Sequence, residues 1–289
     1  MKTNTTIKHP KFLGILLAAI TLLAGLPSAS AIITTFQSGV SGNYSGLTDT
    51  YVDYQGDADA NWGARNLMLA YNLTGDAPKQ KTALLNFDMT SIAGPVTVNS
   101  STLSIYVEGN AERTGGYSQT YNIHAITRSG LNFGTANGTP ENGAVSFSAA
   151  EYDPTTPVGW GTLSTGTNGP VPGEDYSNSV LGTFTLTSAN LSGARVYMSL
   201  DTATVASWIN TPGTNYGFVI AAVADPAHDQ AIIYSSAENV VFAPWLEFDH
   251  TAIPEPGTLG MLGLGALITV VLGGRRRRKD PDREPLTQP

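Results

Sequence analysis

Thr82-Ala83-Leu84-Leu85-Asn86-Phe87-Asp88-Met89 and Ser101-Thr102-Leu103-Ser104-Ile105-Tyr106-Val107 decide the fold class. In the first stretch Leu85, Phe87 and Met89 occupy alternate positions, and in the second Leu103, Ile105 and Val107 do. Successive side chains of a strand point to opposite faces, so this alternation predicts two strands with one face turned to a core. Working outward, Val196, Met198 and Leu200 repeat the pattern, as do Phe218, Ile220 and Ala222. Less regular strands are predicted at 48–54, 67–73, 121–126, 181–186, 231–234 and 244–248. Gly, Ser, Thr and Asn punctuate the intervals between them, as turns require. Many short strands with frequent turns predict an all-β fold, a jelly-roll-like β-sandwich.

One short helix is expected inside this domain. Asp201 can accept backbone N–H bonds at the start of 202–210, and Val205, Trp208 and Ile209 then share one side. Trp208 is therefore expected to plug the core under a sheet edge. Between Arg128 and Asn178 no periodic run occurs, and Gly, Thr, Ser, Asn and Pro dominate. A loop of that length is expected to be functional or mobile.

The two ends read differently. Lys2, Lys8 and Lys11 precede an apolar run at 12–26, the breaker Pro27 and then Ser28-Ala29-Ser30-Ala31. This predicts a secretory signal peptide, residues 1–31, handled by the Sec machinery and cut by signal peptidase after Ala31, with Ala29 and Ala31 as the small residues. Near the other end, 257–274 carries no charge. As a helix rising about 1.5 Å per residue it would reach roughly 25 Å, the short end of a bilayer span. Arg275, Arg276, Arg277, Arg278 and Lys279 follow, and burying each Arg in hydrocarbon costs about 2.5–3.5 kcal/mol, so that end is expected to stay cytoplasmic. The organisation that results is a signal peptide, a β domain over 32–252, a sorting and anchor segment over 253–279, and a polar cytoplasmic tail over 280–289.

Composition narrows the function. The chain has no cysteine, which removes disulfides and thiol nucleophiles alike. Between Ile32 and Ile253 there are six Lys or Arg against nineteen Asp or Glu, a net of −13. Such a domain repels nucleic acid, and repels an anionic polysaccharide unless divalent cations intervene. His124, His228 and His250 stand far apart and form no helical metal pair. Glu141, Asp153, Glu174 and Asp175 read as solvated loop carboxylates rather than a glycosidase pair. Catalysis is not expected.

The tail Ile253-Pro254-Glu255-Pro256-Gly257-Thr258, with its apolar run and arginine cluster, resembles the sorting signal of PEP-CTERM proteins. The resemblance implies a Gram-negative, exopolysaccharide-producing bacterium. It also implies an exosortase that recognises Pro254, Glu255 and Pro256 and cuts nearby, so that the domain is released or re-attached at the cell surface. The extension 280–289 is longer than such tails usually carry. A second resemblance runs along the domain. Asp49-Thr50-Tyr51-Val52, Asn61-Trp62-Gly63, Leu84 to Met89, Leu103 to Val107, Val205 with Trp208, Asn215-Tyr216-Gly217-Phe218, Ser235-Ser236-Ala237-Glu238 and Pro244-Trp245-Leu246 resemble the DNRLRE-domain proteins. These are β-sandwich modules of secreted and surface proteins, some of them carbohydrate-binding. Asn86 stands where that family commonly has a basic residue, and its Trp-rich segment is reduced here to Trp160.

Carbohydrate recognition rests on aromatic faces with amides and carboxylates beside them. Tyr54, Trp62, Tyr71, Tyr152 and Trp160 lie in or beside predicted loops and are the candidate glycan contacts. Trp160, flanked by glycine, is the candidate for an exposed ring. Trp62 has the alternative of packing at a turn, and Trp245, alternating with Glu247, reads as a core residue of the last strand. A calcium site built from Asp49, Asp53, Asp57 or Asp59 is the one metal expectation, against an acidic loop that merely discourages edge pairing. The functional expectation is an exported, surface-sorted, non-catalytic β-sandwich that binds carbohydrate or builds the exopolysaccharide matrix. The alternatives are an adhesin without glycan affinity, or a polysaccharide lyase or glycosidase.

Overall fold

The computed structural model describes residues 30–39, 44–53, 58–65, 67–73, 79–111, 118–161, 169–187, 193–223, 231–239, 241–253 and Gly265. Its strands are β1 (Ala31–Gln37), β2 (Leu47–Asp53), β3 (Ala60–Asn61), β4 (Leu67–Leu73), β5 (Lys79–Phe87), β6 (Val96–Ala111) and β7 (Ser118–Ile126). There follow β8 (Thr139–Pro140), β9 (Tyr176–Thr187), β10 (Ala194–Ser199), β11 (Phe218–Ala222), β12 (Ala231–Ser235) and β13 (Trp245–Ala252), with helix α1 (Thr202–Asn210) between β10 and β11. The signal-peptide expectation falls almost wholly outside the described residues, as do the sorting motif and, Gly265 apart, the apolar segment 257–274. No helix among the described residues is long and apolar enough to cross a membrane.

Among the described residues the strand ladders are antiparallel and build a sandwich. One sheet runs β1-β13-β6-β12-β4, with β10 on the free side of β6. The other contains β2, β5, β11, β7 and β9. Strand β4 joins them, because Leu67 to Ala70 pair with β12 while Tyr71 to Leu73 pair with β5. Between the sheets lie Leu85 and Phe87 of β5, Leu103, Ile105 and Val107 of β6, Ile123 of β7, Phe218 and Ile220 of β11 and Leu246 and Phe248 of β13. These are the alternating residues that define the strands, and burying each large side chain contributes roughly 1.5–3 kcal/mol.

Helix α1 closes one end. The Asp201 carboxylate accepts from the Thr204 backbone N–H at 2.8 Å and from its hydroxyl at 2.6 Å, satisfying a free helix-terminal donor. Val205, Trp208 and Ile209 are buried, and Trp208 meets Phe218 edge to face at 5.0 Å. Asn210 exchanges two hydrogen bonds with the backbone of Val96, pinning the helix to the start of β6.

The 128–178 region departs from expectation. Over 131–161 the chain is a packed cap rather than an open loop. Phe133, Val145, Phe147, Ala150 and Trp160 bury themselves against Val52, Leu84 and Val219, the outward residues of β2, β5 and β11. The second sheet is therefore covered on both faces around Val52, Leu84 and Val219. Periodicity could not show the cap because turns and side-chain clamps hold it. Asn61 Nδ2 donates to the carbonyls of Phe133 (2.7 Å) and Val145 (2.9 Å), and its Oδ1 accepts from Gly63 and Ala136. Gly134, at φ +76°, passes so close to Asn61 that a Cβ would collide with the amide. Asp175 is not a solvated carboxylate either. It is buried, paired with Arg128 at 2.8 Å, and accepts from the backbone N–H groups of Gly161 and Val171.

Candidate functional site

Among the described residues, the candidates read from sequence do not converge. Trp160, the proposed exposed ring, is 0% exposed; its Nε1 donates to the Ser146 carbonyl at 2.8 Å, and it anchors the cap. Its flanking glycines suggested openness, but the ring fills space between cap and sheet. Trp62 packs at a turn, stacked on Tyr51 at 5.2 Å with the Arg65 guanidinium 5.0 Å from its ring. Tyr152 is half-buried in the cap, where its backbone bonds Gly143 and Ala144. Tyr54 lies outside the described residues, and Tyr71 sits in β4 with its side chain undescribed.

The calcium expectation is likewise not supported. Asp49 is buried and accepts from the Ala237 N–H at 2.6 Å, Asp53 pairs with Lys81 at 2.5 Å, and Asp59 accepts from the Ser148 hydroxyl. Asp57 lies outside the described residues. Each described carboxylate is committed to a different protein partner, and no group of three His, Cys, Asp or Glu that could hold a metal forms among the described residues.

Two other surfaces have the features of a ligand site. The first is a shelf on the outer face of the β10-β6-β13 sheet. Register places Tyr197 and Trp245 on either side of Ser104, and the two rings meet edge to face at 5.8 Å. In the neighbouring row Arg195 pairs with Tyr106, on which Phe242 stacks at 4.1 Å. Tyr197 is 61% exposed and Phe242 37%, so the rings present apolar area to solvent. Beneath them Ser104 is buried. Arg195 donates to the Ser104 hydroxyl and to the Ala243 carbonyl, each at 3.3 Å, which ties the guanidinium to the sheet and to the β13 approach. Burial lowers the Arg195 pKa from the usual guanidinium value, yet arginine remains a cation at neutral pH. Two residues further along the strands, about 7 Å away at strand rise, the face turns polar. There Thr35 donates to Glu247 at 3.1 Å, and further along β13 Asn99 bonds Asp249 and Thr251. Aromatic rings bordered by hydroxyls and carboxylates can take the C–H face of a sugar and its hydroxyls together.

Trp245 was misread as core. Leu246 and Phe248 point inward, so the neighbouring Trp245 and Glu247 must face out. The signal was present in the sequence: Tyr197 alternates with Val196 and Met198, and Tyr106 with Ile105 and Val107, each an aromatic on the face opposite the core.

The second surface is a hollow of about 370 Å³ on the outer side of the capped sheet, lined by Thr48, Asn86, residues 130–135, Asn215 and Tyr216. A smaller one of about 220 Å³ adjoins it and shares Asn86 and Asn215. Asn215 is committed, donating to the Phe87 carbonyl at 2.7 Å and accepting from Gly217 N–H at 3.2 Å.

Residues 43–152 match carbohydrate-binding module family 96, and residues 252–278 match the PEP-CTERM protein-sorting motif. The first match takes in β2 to β8, most of the cap, Tyr106 of the shelf and the Thr48, Asn86 and 130–135 walls of the hollow. The second indicates an exported, sorted chain. No curated protein matches the sequence as a whole or in part.

Proposed function

We propose that this chain is an exported, non-catalytic carbohydrate-binding protein that holds an extracellular polysaccharide against the aromatic shelf of Tyr106, Tyr197, Phe242 and Trp245. The observation that carries the reading is the shelf itself: two pairs of rings on the outer face of the sheet, over the buried Ser104 and beside Arg195. The match to a carbohydrate-binding module family supports it, as does the resemblance to DNRLRE-domain modules. In the precursor, 257–274 anchors the chain in the membrane with Arg275 to Lys279 on the cytoplasmic side. Signal peptidase cuts after Ala31, and an exosortase acts at Pro254-Glu255-Pro256. The mature domain then becomes a component of the exopolysaccharide matrix.

Affinity electrophoresis of the purified protein through gels containing the host's exopolysaccharide tests this. The wild-type protein is expected to be retarded. Trp245→Ala and Tyr197→Ala are each expected to weaken binding roughly tenfold, since a stacked ring contributes on the order of 1.5 kcal/mol. Retardation unchanged in both variants would remove the shelf from the site. A wild-type protein that runs unretarded in the host polysaccharide and on a glycan array would favour the adhesin reading. That alternative has its own observation: β1 is an edge strand whose Ile33 is 70% exposed, a place where another chain could pair.

A further inference from the structure

The hollow around Asn86 and Asn215 is separate from the shelf and lies on the other sheet. Register sets Thr48 of β2 opposite Asn86 of β5. Both are outward residues, continuing the faces that carry Val52 and Leu84 further along the same strands. Where those residues are apolar, the cap covers them; where the face turns to Thr48 and Asn86, cover stops and the hollow opens. Its floor is therefore polar by sequence and uncovered by construction.

Asn86 is the unpaired group of this lining. It lines both hollows, yet its Oδ1 is buried without a hydrogen-bond partner. A buried amide oxygen lacking a donor is destabilising, and such an atom is satisfied in native proteins by a protein group, an ordered water or a ligand. The rest of the wall is preorganised. Glu141 accepts from the backbone N–H groups of Thr135 (2.6 Å) and Ala136 (2.7 Å), and Asn132 Oδ1 accepts from Gly134 N–H (3.1 Å). Tyr216 adds a half-buried ring packed against the cap core. None of the described residues lining either hollow is basic, and Asp88 lines the smaller one.

We infer that this hollow is a second saccharide site, selective for an uncharged pyranose unit. A hydroxyl donating to Asn86 Oδ1 supplies the missing bond, Tyr216 takes the ring's apolar edge, and Thr48 and Asn132 reach further hydroxyls. A uronate or sulfated unit is rejected, because its charge would lose water without gaining a cation and would lie near Asp88. The size, about 370 Å³, falls near the lower end of the ~300–1,000 Å³ typical of small-ligand pockets, which favours a chain terminus or a free sugar over the middle of a long chain.

The test is titration calorimetry of the full chain with methyl glucoside, galactoside, mannoside and xyloside, set beside glucuronic and galacturonic acids. At least one neutral glycoside is expected to bind, with both uronic acids at least tenfold weaker. Asn86→Leu is expected to abolish that binding while leaving the thermal midpoint equal or higher, since it removes an unpaired polar atom. Asn86→Lys is expected to shift preference towards the uronic acids. Gel retardation of Trp245→Ala and Tyr197→Ala reads the shelf and the small-sugar isotherm of Asn86→Leu reads the hollow, so the two sites fail or survive independently. No binding by any neutral glycoside, equal binding of the uronic acids, or full binding by a folded Asn86→Leu protein would each overturn the inference. Binding of the intact polysaccharide lost in Asn86→Leu along with the methyl glycosides would identify chain termini as the natural source.

Discussion

Asp49 shows how much one buried carboxylate can demand. Burial first, and the nearby Glu238 second, push its pKa well above the ordinary carboxylate range, with the Ala237 N–H bond opposing them. Above about pH 4, where an unfolded aspartate has lost its proton, the folded one still holds it. The folded state thus binds more protons there, and stability falls as pH rises towards the raised folded value. Asp49→Asn is expected to remove that component. The difference in urea midpoint between variant and wild type should grow in the variant's favour as pH rises from about 4 towards the raised folded value, whereas a constant difference would show that Asp49 does not titrate in this window. At this scale the sequence was a poor guide. Asp49 and Trp160 look like ligand residues in a one-dimensional reading, because burial depends on what packs over them, and that cover comes from chain far away.

The cap is the element on which most of the misreadings turn. Thr82-Ala83-Leu84-Leu85 and Phe218-Val219-Ile220 each run apolar or buried on both faces in the structure. Adjacent apolar residues in a strand require cover on the second side, so the need for a cap was legible even though its identity was not. Trp160→Ala is expected to destabilise the protein by about 3–5 kcal/mol, as large aromatic truncations in packed cores do, without altering glycan affinity of the folded fraction. Denaturant unfolding paired with binding at low denaturant separates these outcomes. A well-folded Trp160→Ala protein that had lost glycan binding would instead return Trp160 to the site. Strands with clean alternation, such as β6 and β11, and helix α1 with its Asp201 cap stand where their residues place them. Strands β1, β3 and β8 were missed because an edge strand with two exposed isoleucines and a two-residue ladder carry no period to detect.

For the molecule as a whole, topology across the envelope is the property to test. Replacing Pro254, Glu255 and Pro256 together by alanine is expected to leave an uncut precursor in the membrane fraction, seen by immunoblot of fractionated cells. Surface delivery of a normally shortened protein would remove the motif from sorting. The sequence by itself determined the alternating strands of the sandwich, the capped helix α1, the acidic and thiol-free character of the domain, and the sorting motif near its end. These are local properties, written in the spacing and charge of neighbouring residues. Only the tertiary structure decided which face of each sheet is covered. It turned Trp160 inward beneath the cap, set Trp245 and Tyr197 outward as a shelf, and left Asn86 open where the cap stops. Alternation reveals that a strand has two faces; which of them meets water depends on segments that arrive from distant parts of the chain.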